Sequence, residues 1–311
     1  MSRLLHTGQI IIDLVMALDT LPVSGGDALA KSARFEAGGG FNVMAAAQRN
    51  GLSTWYLGRH GQGPFGDLAR QAMLAEGITP TLAPAADQDT GLCVALTEAS
   101  AERTFISYIG AEGVLTSDDL ARVRVEPHDA VYVSGYSLLH SAKAKPLLHW
   151  LLGLAHSVHV SFDPGPLLGD IPAELMHALL PRLNLWTSNR LEAQILTGTQ
   201  TLAQALLALQ GRLGRDCLKV IRDGAQGCWI SDPHGQHALA GFSVQAVDSN
   251  GAGDAHTGVL IAALMAGQSP VDAARRANAG AAIAVTRRGP ATAPHDHEID
   301  AFMARHADFN L

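Results

Sequence analysis

The sequence is short of charge, of aromatic side chains and of cysteine. Of its 311 residues, 16% are charged and 5% are aromatic, and the formal net charge is −7. Proteins that bind nucleic acid or anionic membranes usually carry a basic excess, so neither partner is expected. The cysteines Cys93, Cys217 and Cys228 are odd in number and lack C-x-x-C spacing, which argues against a disulfide framework and a zinc site. This usage favours a reducing cytoplasm.

Long hydrophobic runs are also missing. No segment reaches the roughly 18 uncharged apolar residues that a membrane-spanning helix needs. The apolar run over residues 9–18 contains Asp13 and lacks the basic start and small-residue end of a signal peptide, so we interpret it as a buried first strand. With 47% hydrophobic residues, the chain can bury one large core, which predicts a soluble protein with a single domain over residues 1–311.

Conventional nucleotide motifs are scarce as well. No G-x-x-x-x-G-K-[ST] segment occurs, which excludes a Walker-type ATPase. The segment GQGPFG at residues 61–66 matches G-x-G-x-x-G, but the pattern alone is weak. Pro64 in this segment favours a tight strand-to-helix turn over a dinucleotide site. A dinucleotide-dependent oxidoreductase is therefore a minor alternative.

Strand-like and helical segments alternate along most of the chain. Short apolar runs such as AVYVSGY are followed by longer helical patterns such as AKPLLHWLLGLAH. This alternation predicts an α/β fold with a doubly wound, mostly parallel central sheet and helices on both faces. Two segments, at about residues 14–36 and 91–110, do not fit the alternation, and we expect them to form a small β lid over the sheet.

The segment DSNGAGDAH at residues 248–256 is the strongest candidate for chemistry. Gly251, Ala252 and Gly253 are small enough for consecutive main-chain N–H groups to point into one concavity at the start of a helix. The helix dipole would strengthen this anion hole, which suits a phosphate group undergoing transfer. Asp254 could accept a proton from an attacking hydroxyl, or it could be the N-cap of the helix. The residues alone do not decide between these two roles.

A second glycine cluster precedes an alanine-rich helical segment. Gly38, Gly39 and Gly40 lie just before Asn42. Glycines at the start of a helix let a polar ligand approach the main chain, and an asparagine side chain can both donate and accept hydrogen bonds. Sugar hydroxyls suit this combination.

These two segments resemble the signature motifs of the PfkB, or ribokinase-like, family of carbohydrate and nucleoside kinases. A GG-x-N pattern occurs near the start and a D-[ST]-x-G-A-G-D pattern late in the chain, and the resemblance extends over essentially all 311 residues. Stretches such as ERTFISYIGAE are similar to those of uncharacterised bacterial sugar kinases in this family. The resemblance implies a ribokinase-like fold with a β lid. It also implies an enzyme that uses ATP and Mg²⁺ to transfer the γ-phosphoryl group to a hydroxymethyl group of a sugar.

The resemblance further implies roles for residues around the acceptor. Asp254 would be the general base, and Gly251, Ala252 and Gly253 would form the anion hole. Asp13 resembles the carboxylate at the end of the first strand that binds two sugar hydroxyls. The remaining residues implied for the acceptor site are Gly39, Gly40 and Asn42.

At the nucleotide end, the segment SNRLE resembles the N-x-x-E motif of the family. Asn189 and Glu192 would then organise Mg²⁺ and phosphate through water, since magnesium prefers oxygen ligands and retains several waters. Asp248, with main-chain oxygens of residues 284–289, resembles the loop that binds a monovalent cation, K⁺, in several members. The residues implied for nucleotide contact are Gly224, Gly227 and Asn278.

Four positions depart from the family pattern. Arg222 and Asp223 stand where a threonine and a small residue are common, so Arg222 either contacts an ATP phosphate, which we favour, or pairs with Asp223. Arg190 replaces an additional acid inside the N-x-x-E segment. His256 replaces a frequent aromatic residue, and it either tunes activity with pH or packs at the start of the helix.

Several functional alternatives stay open at this point. A nucleoside kinase of the same family, or a non-catalytic sugar-binding or regulatory protein on this fold, would carry the same segments. Ribose, fructose, a deoxy-keto acid and a nucleoside are all compatible acceptors. Because lid strands leave unpaired edges that a partner subunit could cover, we expect a homodimer that forms through the lid.

Overall fold

The chain folds around two β-sheets. The computed structural model describes residues 2–100 and 102–306. In chain order, its strands are β1 (Arg3–His6), β2 (Ile10–Ala17), β3 (Ser32–Gly39), β4 (Ser53–Tyr56), β5 (Thr79–Pro80), β6 (Leu92–Thr97), β7 (Arg103–Tyr108), β8 (Ala130–Ser134), β9 (His159–Asp163), β10 (Leu185–Asn189), β11 (Leu218–Arg222), β12 (Gly227–Asp232) and β13 (Gly235–Ala240). The large sheet has the order β13-β12-β11-β10-β9-β8-β1-β4-β5, and the small sheet has the order β3-β2-β6-β7. We call the small sheet the lid.

The large sheet is parallel from β5 through to β11. The strands β12 and β13 extend it as an antiparallel edge. This arrangement confirms the predicted mostly parallel central sheet. It also places the carboxyl ends of β9, β10 and β11 side by side, which is where ligands of such sheets bind.

Helices cover both faces of the large sheet. In chain order, they are α1 (Gly40–Arg49), α2 (Pro64–Glu76), α3 (Ser117–Ala121), α4 (Ser141–Gly153), α5 (Ala173–Leu179), α6 (Arg190–Thr197), α7 (Leu202–Gln210), α8 (Ala252–Met265), α9 (Pro270–Ala284) and α10 (Asp296–Arg305). Because successive strand residues point to opposite sides, Leu5 joins a core with Leu147 of α4, whereas Leu4 joins a second core with Val259 of α8. The predicted doubly wound architecture is confirmed. None of the described helices is long and apolar enough to cross a membrane.

The apolar run over residues 9–18 forms the second strand, so the prediction that it is the first strand is wrong. β1 ends at His6 in the large sheet, and β2 begins at Ile10 in the lid. Between them, the N–H and hydroxyl of Thr7 both donate to Tyr132 O, at 3.0 and 2.9 Å. Residues 6–10 are all buried, so the hydrophobic pattern continues through the turn and conceals it. Asp13 accordingly lies within the second strand and not at the end of the first.

The lid is confirmed as a separate small sheet, but with wider bounds than predicted. It begins at Ile10 instead of residue 14 and its first hairpin continues to Gly39 instead of residue 36. A buried lysine of α4 joins two of the places where the chain crosses between the sheets: Lys143 Nζ donates to Gly8 O at 2.7 Å and to Glu112 O at 3.1 Å. Burial lowers the pKa of Lys143 to about 7. One side chain thus ties the base of the lid to the large sheet.

Close packing between α1 and α8 sets the geometry at the edge of the large sheet. A Cβ atom on Gly258 of α8 would lie 2.5 Å from both Ala46 Cβ and Val43 O of α1. The two backbones can approach this closely only because position 258 has no side chain. The first turns of both helices consequently meet beside the lid.

Adding one methyl group at this crossing is expected to destabilise the protein. Gly258→Ala should lower the free energy of unfolding by about 1–3 kcal/mol, because the crowded Cβ forces backbone or side-chain shifts. In Gly153→Ala the new Cβ, near the end of α4, would meet nothing within 4 Å. This control should be neutral or stabilising by about 0.5 kcal/mol. Urea denaturation of both variants checks the prediction, which equal effects of the two substitutions would contradict.

Candidate active site

Asp254 lies where the first turns of α1 and α8 meet. The N-cap position of α8 belongs to Gly251, which has a left-handed φ of 72°. Asp254 is the third residue of the helix, and its Oδ2 accepts a hydrogen bond from Asn42 Nδ2 at 2.9 Å. The alternative in which Asp254 is the N-cap is therefore wrong. The carboxylate is held by a side chain that comes from 212 positions earlier in the chain.

The surroundings of Asp254 favour its protonated form. Burial raises the pKa of Asp254 to about 6, and the negative charge of Asp163 acts in the same direction. The hydrogen bond from Asn42 and the positive charge of Arg222 oppose this shift. A carboxylate whose pKa lies close to neutral pH can take up and release a proton during a reaction.

Main-chain amides at the start of α8 face the same space. Ala252 N donates to Ser249 O at 3.3 Å, so this amide of the predicted anion hole is already bonded. The amides of Gly251, Gly253 and Asp254 donate to no acceptor in residues 2–100 and 102–306. Free amides at a helix N-terminus attract anions. The structure thus leaves donors at 251, 253 and 254, which differs by one position from the predicted set.

Arg222 extends from β11 to the edge of this anion hole. Its Nη1 donates to Asp163 Oδ2 at 2.8 Å, to Thr187 Oγ1 at 2.7 Å and to Thr257 Oγ1 at 2.9 Å. A Cβ on Gly253 would lie 3.6 Å from Arg222 Nε, so the guanidinium runs beside the free amides. A permanently charged guanidinium, paired with Asp163, therefore lies beside the free amides.

The alternative pairing of Arg222 with Asp223 is wrong. Asp223 binds Arg190 instead, whose Nε donates to Asp223 Oδ1 at 2.7 Å. Arg190, which departs from the N-x-x-E pattern, is therefore the ion-pair partner of Asp223. Along a strand, adjacent side chains point to opposite faces, so neighbours in sequence such as 222 and 223 do not meet.

Asp163, the partner of Arg222, is a site residue that the sequence analysis missed. It is the last residue of β9, and Arg222 is the last residue of β11 two strands away. A polar residue at the carboxyl end of a parallel strand is the signal that could have revealed it, since ligands bind at these ends. Its negative charge contributes to the raised pKa of Glu192 as well as that of Asp254.

Asp13 faces the site from the lid. A Cβ on Gly38 would lie 2.1 Å from Asp13 Oδ2, so the carboxylate rests against the glycine segment before α1. Burial raises the pKa of Asp13 to about 6, and the negative charges of Glu36 and Asp254 add to the shift. Asp13 and Asp254 are thus close enough to interact electrostatically, although one lies in a strand of the lid and the other in a helix that packs on the large sheet.

The glycines before α1 shape this side of the site. Gly39 is the N-cap of α1 and has a left-handed φ of 62°. Gly40 N donates to Gln9 O at 2.7 Å, so that amide is committed within the protein. Asn42 is 5% exposed, and its Oδ1 has no hydrogen-bond partner among the described residues. A buried acceptor of this kind costs stability unless a ligand donates to it.

Asn189 and Glu192 form a reciprocal cap at the start of α6. Asn189 N and Nδ2 donate to the two carboxylate oxygens of Glu192, and Glu192 N donates to Asn189 Oδ1, each at 2.8 Å. Burial and the charge of Asp163 raise the pKa of Glu192, whereas Arg222 opposes the shift. The N-x-x-E motif therefore has a structural role as a capping box in addition to any role at phosphate.

The residues predicted to contact the nucleotide differ in accessibility. Gly224 has a φ of 57° and open space around it, whereas a Cβ on Gly227 would lie 2.1 Å from Leu239 O. Asn278 is buried, and its Nδ2 donates to Leu239 O and Ala240 O at 3.3 and 3.2 Å. Gly227 and Asn278 thus hold the hairpin of β12 and β13 in place.

His256 is a buried packing residue. Its Nε2 lies 3.2 Å from Asn278 Oδ1. Burial lowers the pKa of His256 to about 3, and the charge of Arg222 lowers it further. The imidazole is therefore neutral at physiological pH, so the alternative in which His256 tunes activity near neutrality is not supported by its surroundings.

Asp248 organises the loop beside the anion hole. Its Oδ1 accepts from Asn250 N at 2.9 Å and its Oδ2 accepts from Gly289 N at 3.1 Å. Val285 O accepts from the amides of Val247 and Asp248. Within residues 2–100 and 102–306, no group of three or more His, Cys, Asp or Glu side chains is placed to hold a metal ion.

The G-x-G-x-x-G segment has no free anion site. The carboxylate of Asp89 lies at the start of α2, where it accepts hydrogen bonds from Phe65 N at 3.0 Å and from Gly66 N at 2.8 Å. The amides that a dinucleotide phosphate would need are therefore occupied by a protein carboxylate. The segment is a tight strand-to-helix turn, as its proline suggested.

Known proteins resemble this chain over almost its whole length. The model of the pfkB family carbohydrate kinase matches residues 1–297. The chain is 32% identical over 296 residues to the uncharacterized sugar kinase YegV of Escherichia coli, covering 94% of this chain and 91% of that protein. It is 26% identical to an ATP-dependent ribose-1-phosphate kinase of Halopiger xanaduensis, covering 99% and 100%. A fructokinase of Vibrio cholerae, solved with fructose, ADP and calcium, superposes with a TM-score of 0.79 at 25% identity, covering 97% and 99%.

Removing the charge of Asp254 is expected to stabilise the protein above pH 6. The pKa of this carboxyl is about 6 in the folded state against an ordinary 3.8, so ionisation costs folding free energy at higher pH, and that cost disappears as the pH falls from 6 towards 3.8. Asp254→Asn should raise the free energy of unfolding at pH 8 by about 1–3 kcal/mol and by much less at pH 4.

The matched control is Asp272→Asn, since Asp272 is also the third residue of its helix but bonds the N-cap Ser269 at the surface. This variant should not gain stability at either pH. Denaturant titrations at both pH values provide the measurement. A loss of stability in Asp254→Asn at pH 8 would contradict the expectation.

Proposed function

Because the chain belongs to the pfkB family of carbohydrate kinases, we propose that it transfers the γ-phosphoryl group of ATP to a hydroxymethyl group of a sugar, with Asp254 as the general base. The observation that carries this proposal is the position of Asp254 beside Asn42 and the free amides that begin α8. A proton acceptor and an anion hole at one point are what transfer to a hydroxyl requires. A protein that only binds sugar would not need both.

The proposed reaction uses the carboxylate and the amides in a single displacement. Asp254 takes the proton of the acceptor hydroxyl, and the hydroxyl oxygen forms a bond to the γ-phosphorus. The bond from that phosphorus to the bridging oxygen of ADP breaks, and its electron pair leaves with ADP. Positioning and charge stabilisation supply most of the catalysis in such transfers.

Arg222 would stabilise the transferring phosphoryl group. Its Nη1 is held by Asp163, Thr187 and Thr257, whereas Nη2 has only Glu192 nearby, at 3.9 Å. The Nη2 and Nε hydrogens remain for phosphate oxygens. A guanidinium fixed in this way costs no reorganisation when charge develops.

Mg²⁺, when bound, would neutralise charge on the phosphates. We assign Asn189 and Glu192 to hold the ion. The contact would be through water and not direct, because both carboxylate oxygens of Glu192 already accept hydrogen bonds from Asn189. Gly224 lies in the open segment that we assign to nucleotide contact. We assign a monovalent cation, K⁺, to the loop of Asp248 and residues 284–289.

We extend the proposal to assembly and location. The outer face of the lid exposes Phe35, Ile106 and Tyr108 by 53%, 63% and 68%, and a second copy could cover these side chains in a homodimer. The three cysteines are buried free thiols, which suits the cytoplasm.

Loss of the proposed base should abolish turnover. Asp254→Asn is expected to lower kcat by at least about 1,000-fold while sugar affinity changes little, because the base acts mainly in the transition state. Coupled ADP-release assays over a panel of sugars give kcat, and calorimetry gives sugar binding. The surface variant Asp272→Asn should keep wild-type turnover. Full turnover by Asp254→Asn would exclude the mechanism.

Loss of the guanidinium should weaken phosphoryl transfer without removing the base. Arg222→Met is expected to lower kcat by about 100-fold, since one fixed donor at developing charge typically supplies this much. Arg190→Met is the matched control, because Arg190 pairs with Asp223 at the surface. It should retain activity within about threefold. Equal kcat values for the two variants would show that Arg222 does not act on phosphate.

A further inference from the structure

A row of polar side chains crosses the inner face of the lid. Asp13 of β2 lies opposite Glu36 of β3 and beside Cys93 of β6, and Cys93 lies opposite Ser107 of β7. Residues that pair in this way share one face of a sheet. Because Asp13 interacts electrostatically with Asp254, this face looks towards the candidate site.

Glu36 stands between the lid and the loop beside the anion hole. A Cβ on Gly289 would lie 3.3 Å from Glu36 Oε1, and the next carbonyl, Pro290 O, packs directly against Gly251. Arg34 Nε donates to Glu36 Oε1 at 2.6 Å. The other carboxylate oxygen, Oε2, is buried and has no hydrogen-bond partner among residues 2–100 and 102–306. Glu36 therefore offers an unused acceptor at the edge of the acceptor space.

The acceptor side of the site offers hydrogen-bond acceptors and negative charge. Burial, then Glu36 and Asp254, raise the pKa of Asp13. Arg34 pairs with Glu36 on this side, so the carboxylates of Asp13, Glu36 and Asp254 outnumber the guanidinium that binds one of them. The buried Oδ1 of Asn42 is a further acceptor without a donor. Such a pocket favours ligands that donate hydrogen bonds and repels ligands that carry a negative charge.

Building on the proposed kinase activity, we infer that Glu36 is a specificity-determining residue which, with Asp13, selects an uncharged or amine-bearing polyol and rejects sugar acids and sugar phosphates. Of the acceptors compatible with the sequence, a deoxy-keto acid is thereby excluded. The relative from Halopiger xanaduensis is by its name a kinase of ribose 1-phosphate, an anionic acceptor. We expect the charge of Glu36 to distinguish specificity for uncharged sugars from specificity for sugar phosphates.

The experiment compares acceptors that share a carbon skeleton and differ in charge. The kcat/KM of the wild-type enzyme is measured for D-ribose against D-ribose 1-phosphate, and for D-glucose and D-glucosamine against D-gluconate. The expected preference for the uncharged or amine-bearing member is about 100-fold or more. Glu36→Gln, which keeps the shape and removes the charge, should reduce this ratio by about tenfold, mainly by admitting the anion.

Two further variants separate charge from other effects. Glu36→Asp keeps the charge and should keep most of the preference. Asp19→Asn removes a lid carboxylate that is 74% exposed and pairs with Lys31, and it should leave the ratio unchanged. Calorimetric binding of the same sugars to the wild-type enzyme gives the ratio independently of any variant.

The outcomes distinguish this inference from the proposed function. Phosphorylation of the anionic members as efficiently as their partners, or an equal ratio in Glu36→Gln and Asp19→Asn, overturns charge selection and leaves the kinase proposal intact. Failure of the wild-type enzyme to phosphorylate any of these acceptors or any sugar of the panel used to test the proposed function, with ATP and Mg²⁺ present, overturns both.

Discussion

The close crossing of α1 and α8 is the constraint on which the candidate site depends. Gly258 lets the two backbones approach, and this places Asn42 within hydrogen-bond distance of Asp254. The same approach buries the carboxylate, which is the main cause of its raised pKa. Both helices begin at a left-handed glycine, Gly39 or Gly251, so the chain can turn sharply into each helix without a side chain filling the space. The contact between α1 and α8 therefore affects both the packing of these helices and the proton affinity of Asp254.

Charge is unevenly distributed across the site, so its two sides attract different chemical groups. In the proposed reaction, Arg222 and the free amides of α8 provide hydrogen-bond donors on the phosphate side, where Asp163 pairs with Arg222, whereas Asp13 and Glu36 provide carboxylates on the acceptor side. A phosphate group is attracted to the first side and a hydroxyl-rich molecule to the second. In the proposed reaction, Asp254 lies between the two sides, where the proton leaves the acceptor as the phosphoryl group arrives.

The lid shows which features of the fold local sequence patterns can predict and which they cannot. Strand and helix alternation predicted the large sheet because each βα unit is built from neighbouring residues. The break between β1 and β2 could not be predicted in this way, because the turn at residues 7–9 is buried and its polar groups are satisfied by distant residues, Tyr132 O and Lys143 Nζ. The start of the lid was therefore placed too late in the chain, at residue 14 instead of Ile10. At a second crossing, Lys143 Nζ also donates to Glu112 O, 31 positions earlier in the chain.

The sequence by itself determined the fold class, the two glycine segments and the identity of Asp254 as the acid beside an amide-lined turn, because each of these depends on residues close together in the chain. Only the tertiary structure decided which groups meet. It paired Arg222 with Asp163 instead of Asp223, joined Asn42 to Asp254, and buried His256 and Asn278 behind the hairpin of β12 and β13. These contacts link the ends of strands and helices that are far apart in sequence, and such ends become neighbours only when the parallel sheet assembles.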